Sequence, residues 1–143
     1  MGLQRACGMS RPLRLDVLIV WQLACEFEGR VLDLVKRTPA AGRDYKFTSQ
    51  LTDAATSVPS NIAEGFHRFR APEFAQFLRY SRASLAEAEK RLNTGVRRSY
   101  FRQAEIDPLL RLARRLGKGT MNFHDYLLRQ ATEKKAREKA RTP

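Results

Sequence analysis

Phe47-Thr48-Ser49-Gln50-Leu51-Thr52-Asp53-Ala54-Ala55-Thr56-Ser57-Val58-Pro59-Ser60-Asn61-Ile62-Ala63-Glu64-Gly65-Phe66 places apolar residues at 47, 51, 55, 58, 62 and 66. Those three- and four-residue steps put side chains on one face of an α-helix. Pro59 falls inside the pattern. A proline there has no N–H, and its ring meets the carbonyl four residues back, that of Ala55. The segment must bend or restart, and the apolar register running unbroken across Pro59 predicts one helix with a kink. Small residues gather at the bend (Ala54, Ala55, Ser57, Ser60, Ala63, Gly65) and leave room for a neighbouring helix.

Upstream, about Arg14 to Arg37 repeats the helical spacing at Val17, Val20, Trp21, Ala24, Phe27, Val31, Leu34 and Val35. Leu15, Leu18, Ile19, Leu23 and Leu32 widen its apolar arc beyond what one small bundle needs, so this helix is expected to meet a second subunit. Thr38 to Arg43 ends it, and the second helix begins near Asp44. Downstream, Phe69-Arg70-Ala71 is a break. Pro72 and Glu73 suit the first turn of a third helix that runs to about Tyr100. A fourth follows from about Gln103 to Gln130, with Gly117 and Gly119 weakening its middle. No stretch alternates with period two, so the fold class is all-α. Residues 1–13 read as an N-terminal extension, 14–130 as the folded domain, and 131–143 as a frayed basic tail.

The 143 residues suffice for one domain with a single core. Lys and Arg number 27 against 15 Asp and Glu, a net +12, and 20 of the 27 are Arg, whose planar fork suits phosphate. Nucleic acid or another polyanion is the implied partner, although surplus charge also serves solubility. The surplus is uneven. Residues 14–37 hold four bases and four acids, 72–98 six and three, 99–143 eleven and five. Arg79, Arg82, Lys90 and Arg97 fall on one stripe of the third helix and Arg111, Arg114 and Lys118 on the fourth, which makes these seven the candidate nucleic-acid-binding residues. The same bases would equally recognise an acidic protein, making the chain an interaction scaffold. Cys7 and Cys25 lack any CxxC spacing, so neither a disulfide framework nor a zinc cluster is suggested and a reducing cytoplasm is expected. The apolar run around Val17 to Ala24 is far shorter than the ~20 residues a membrane span needs, and Gln22 stands where a cleavage motif wants a small residue.

Leu18 to Trp21 with Gln22, Thr48-Ser49-Gln50-Leu51, the run from Ser57 through Pro59, Asn61, Glu64 and Gly65 to Phe66, and Glu73-Phe74 through Ser84-Leu85-Ala86-Glu87 together resemble the four helix bundle protein family. That family includes proteins encoded in intervening sequences of bacterial 23S ribosomal RNA genes. The resemblance covers about residues 15–130. It implies a left-handed, antiparallel up-down four-helix bundle assembling into a ring of five subunits. It also implies no established enzymatic activity, and kinship in fold with accessory proteins of diversity-generating retroelements that bind nucleic acid and a reverse transcriptase. Its signature residues here are Trp21, Pro59, Asn61, Glu64 and Gly65. The chain departs from the family at Ala71, and at Arg98-Ser99-Tyr100-Phe101, where the third-to-fourth connection is left open.

Candidate chemistry outside this pattern is thin. His67 and His124 stand without HExxH or a cysteine pairing, so no metal and no cofactor is expected. A small helical ribonuclease would want an Arg a turn or so before a His, and positions four to six before each hold Ala63, Ile62, Asn61 and Thr120, Gly119, Lys118. Gly117-Lys118-Gly119-Thr120 lacks the spacing and preceding strand of a phosphate loop. Asn61 and Glu64 lie three apart on one helix face, where Asn61 would supply a donor to the kink and Glu64 would pair with Arg68. Trp21 reads as core or subunit-interface filler.

Overall fold

The computed structural model describes residues 14–68 and 70–142, so the extension expected at 1–13 lies outside the described residues. A 3-10 turn at Leu15–Val17 leads into α1 (Ile19–Lys36), followed by α2 (Pro39–Arg43), α3 (Tyr45–Phe66), α4 (Ala71–Arg97) and α5 (Gln103–Arg141). Among the described residues there is no strand, and the all-α expectation holds.

The helix ends differ from the sequence reading for local reasons. α1 starts at Ile19, not Arg14, because Leu18 is extended (φ −79°, ψ 113°). Leu18 N–H closes the preceding turn onto the Leu15 carbonyl at 3.0 Å. Pro39, pre-set for a first helical position, starts the single turn α2 inside the expected loop. Asp44 then caps α3, its Oδ1 accepting from Phe47 N–H at 3.1 Å, so one orphan donor of the helix start is satisfied. α3 runs through Pro59 without interruption.

α4 carries Pro72 in its first turn, as expected, and stops at Arg97 rather than Tyr100. Ser99 is left-handed (φ 60°). The Tyr100 N–H donates to Gly95 O at 2.8 Å and the Ser99 N–H to Val96 O at 2.9 Å, the paired bonds that terminate a helix with a left-handed residue. A tertiary clasp fixes this turn: Asp44 Oδ2 accepts from Tyr100 Oη at 2.7 Å and from Arg98 Nη1 at 2.9 Å. α5 continues as helix past Gln130, where the tail was expected to begin, as far as Arg141, with residues 132–142 exposed.

α1 packs on α3 and α5, α3 on α4, and α4 on α5. Between them Phe27, Leu34, Phe47, Leu51, Ile62, Leu78, Leu92, Ile106 and Leu116 are fully buried, each contributing on the order of 1.5–3 kcal/mol. Close approach of α3 and α4 depends on Gly65, where an added Cβ would stand 2.6 Å from Phe74 Cδ2 and 2.7 Å from Phe77 Cβ. Sixteen residues on from Gly65, the buried Ser81 hydroxyl of α4 donates to Val58 O of α3 at 2.8 Å.

Candidate nucleic-acid interface

All seven basic residues singled out in the sequence are exposed. On α4, Arg79, Arg82, Lys90 and Arg97 continue one helical stripe with Ala86 and Asn93, because side chains three and four residues apart share a face. On α5, Arg111, Arg114 and Lys118 do the same. The two stripes flank one seam. Arg82 Nη1 reaches Met121 Sδ at 3.7 Å, Leu85 lies 3.6 Å from where a Cβ on Gly117 would stand, and Glu89 feels the charge of Arg114. As numbering rises along α4 through 82, 85 and 89, it falls along α5 through 121, 117 and 114. Gly117 and Gly119 are therefore at helix contacts, a Cβ on the latter standing 3.4 Å from Val20 Cγ1 of α1, and the segment around Lys118 is regular helix.

The electrostatics sort free cations from spent ones. Arg91 gives its Nε to Glu87 at 2.7 Å and Arg98 is held by Asp44, so neither adds to the seam. Arg97 Nη2 bonds within its own helix, at Thr94 Oγ1, 2.9 Å. One acid intrudes. Glu89 is partly buried, and burial pushes its carboxyl above the usual range while Arg114 pulls it back. Arg115 and Arg129 of α5 are exposed as well; Arg115 escaped the sequence reading because it lies about 100° around the helix from Arg114. The helical arm was missed too. Glu133 to Arg141 has no apolar face, but Glu, Lys, Ala and Arg are all strong helix formers, and Lys134 pairs with Glu138 at 3.9 Å.

The signature residues stand apart from the seam, on α1 and α3. Trp21 is half-buried against the core, and Pro59 and Gly65 are buried. Asn61 Nδ2 donates to Ser57 O at 2.8 Å rather than to Ala55 O, the carbonyl that Pro59 deprives. Glu64 pairs with Arg68 at 2.7 Å, as its spacing suggested. His67 is exposed, and His124 Nδ1 lies 3.0 Å from Asp125 Oδ1. Among the described residues no group of three or more His, Cys, Asp or Glu could hold a metal, and no helix is long and apolar enough to cross a membrane.

No curated protein matches the chain. The sequence model of one family, described as 23S rRNA-intervening sequence protein, matches residues 16–122.

Proposed function

The chain belongs to the 23S rRNA-intervening sequence protein family, and from that premise we propose that it is a cytoplasmic, non-enzymatic, oligomeric bundle protein that binds RNA or DNA through the basic faces of α4 and α5. The observation that carries the reading is the seam: seven exposed cations on two helices that pack together, with Arg82 Nη1 3.7 Å from Met121 Sδ. Affinity then comes from phosphate neutralisation and is largely independent of sequence. The bundle is read as antiparallel and up-down. The falling register of α5 against α4 supports this, as does the pairing of Gly65 with Phe74 near one end of α3 and α4 and of Gly95 with Phe47 near the other, where an added Cβ would stand 2.6 and 3.0 Å from the rings. Its second long helix, α3, is taken to bend at Pro59.

Replacing Arg79, Arg82, Lys90 and Arg97 with Ala is expected to weaken binding uniformly across sequences. The slope of log affinity against log salt should flatten by about 3–4 for the four lost contacts. Unchanged affinity and slope would move the contact to α5 and its arm. Absence of binding by the unaltered protein at low salt would remove the reading and leave an acidic protein partner in its place.

Assembly is read from α1. Leu18, Trp21, Cys25 and Leu32 are half-buried at helical spacing beside the core face, and Ile19 is 66% exposed. Burial, then the neighbouring Glu28, pushes the Cys25 thiol up, in keeping with an apolar surface. A contact repeated head to tail closes a ring, and five subunits is the number we favour. Native mass spectrometry should find a species of five times the 16.4 kDa chain mass; a monomer at that mass sinks the assembly claim.

A further inference from the structure

Single-stranded nucleic acid is gripped by aromatic rings on which bases stack, as well as by cations along its backbone. Among the described residues the seam has the second and lacks the first. The exposed tyrosines among the described residues are Tyr45, Tyr80 and Tyr126, at 81%, 47% and 40% exposure, and none lies on it. Tyr45 opens α3. Tyr80 sits two residues before Arg82, on the opposite side of α4, with its ring edge-on to Phe77 at 5.5 Å, and the Arg68 guanidinium covers Phe77 at 5.0 Å. That is the α3 flank. Tyr126 stands seven residues past Gly119, on the same face of α5, and Gly119 faces α1. What the seam offers instead is length and stiffness. Arg79 to Arg97 spans 18 residues of unbroken helix, or about 27 Å at the helical rise, alongside a second helix bearing Arg111, Arg114 and Lys118.

We infer that the seam is built for double-helical nucleic acid, held by its phosphate rails without base stacking. This rests on the proposal that the seam binds nucleic acid at all, and it names the form of that ligand. A paired helix presents one phosphate charge per ~1.7 Å of axis, so a 27 Å stripe lies along about eight base pairs. Flexible single strands carry lower charge density and gain nothing from a flat basic track that offers their bases no ring.

The test uses the full chain in fluorescence-anisotropy titrations with a 20-base-pair DNA duplex, a 20-base-pair RNA duplex and an unstructured 40-nucleotide strand, at matched salt. At about 0.1 M salt the better duplex should bind roughly tenfold or more tighter than the strand, because counterion release is steeper for the duplex. Which duplex is better tells A-form from B-form. Tyr80→Ala and Tyr126→Ala should leave every affinity unchanged. A strand bound as tightly as both duplexes overturns the inference and spares the nucleic-acid reading, as does a loss of about tenfold on the strand in either tyrosine variant, the size expected for one lost stack. Absence of binding to all three at low salt overturns both.

Discussion

The charge of Glu89 meets the α4–α5 seam at Arg114, and its environment works against it. Burial holds its carboxyl above the ordinary glutamate range and Arg114 only partly compensates. Because its folded-state pKa exceeds the unfolded one, ionised Glu89 costs stability at neutral pH. That cost shrinks as pH falls through the raised pKa and is gone below ~4.3, the unfolded value. Glu89→Gln should therefore be more stable than the unaltered protein at pH 7, with the gap in Tm closing on acidification; a gap that widens as pH falls contradicts the assignment. The same variant frees Arg114, so nucleic-acid binding should tighten and its salt slope steepen by about one. Asp44 has the opposite sign. The Tyr100 hydroxyl, the Phe47 N–H and Arg98 hold its carboxyl below the usual range, so its contribution is present above the ordinary carboxylate pKa and lost as pH falls through the lowered one.

Among elements, periodicity was the legible signal and termination the illegible one. Phe47, Leu51, Ala55, Val58, Ile62 and Phe66 of α3 are all buried, as their spacing in the sequence requires. The start of α1 was hidden because Leu18 caps it with backbone geometry alone, where a Ser or Asp would have announced it. The end of α4 was hidden because a serine, not a glycine, takes the left-handed position, held there by Asp44 from 55 residues away in the chain. The basic stripe on α4 was visible in sequence, but its register against α5 was not, since contacts between distant segments set it. Small residues near Pro59 did announce a close approach, and Gly65 is one place where it leaves no room for a Cβ. Gly65→Ala gains up to ~1 kcal/mol of helix propensity, but Phe77 Cβ, 2.7 Å from the new methyl, cannot swing away as a side-chain tip would. Overpacking of ~1–3 kcal/mol should win, lowering the urea midpoint. Gly29→Ala in α1, with nothing within 4 Å of the new Cβ, should raise it; equal shifts from both variants would mean that α3 and α4 part freely.

Across the whole molecule the charge is segregated. α1 lies in a stretch with as many acids as bases, whereas α4, α5 and the arm beyond carry the excess, so an assembly built through α1 brings together neutral surfaces and keeps the cationic ones free for a polyanion. The last stretch of α5 takes this further. Ala131 is its final residue packed against the core, and from there to Arg141 the helix runs on for about 15 Å. Lys134, Lys135 and Glu138 line a cleft with Arg70, Ala71 and Pro72 at the start of α4, so Lys134, Lys135, Arg137, Lys139 and Arg141 lengthen the cationic surface of the bundle, and the arm enlarges the target that diffusion must hit. Its consequence is a matter of rates: removal of residues 132–143 should slow association severalfold at low salt, leave the dissociation rate nearly unchanged, and lose its effect as salt is raised. Faster dissociation with unaltered association would instead make the arm part of the bound contact. A rigid cationic spar of this kind shortens the search for a ligand without tightening the grip once it is found.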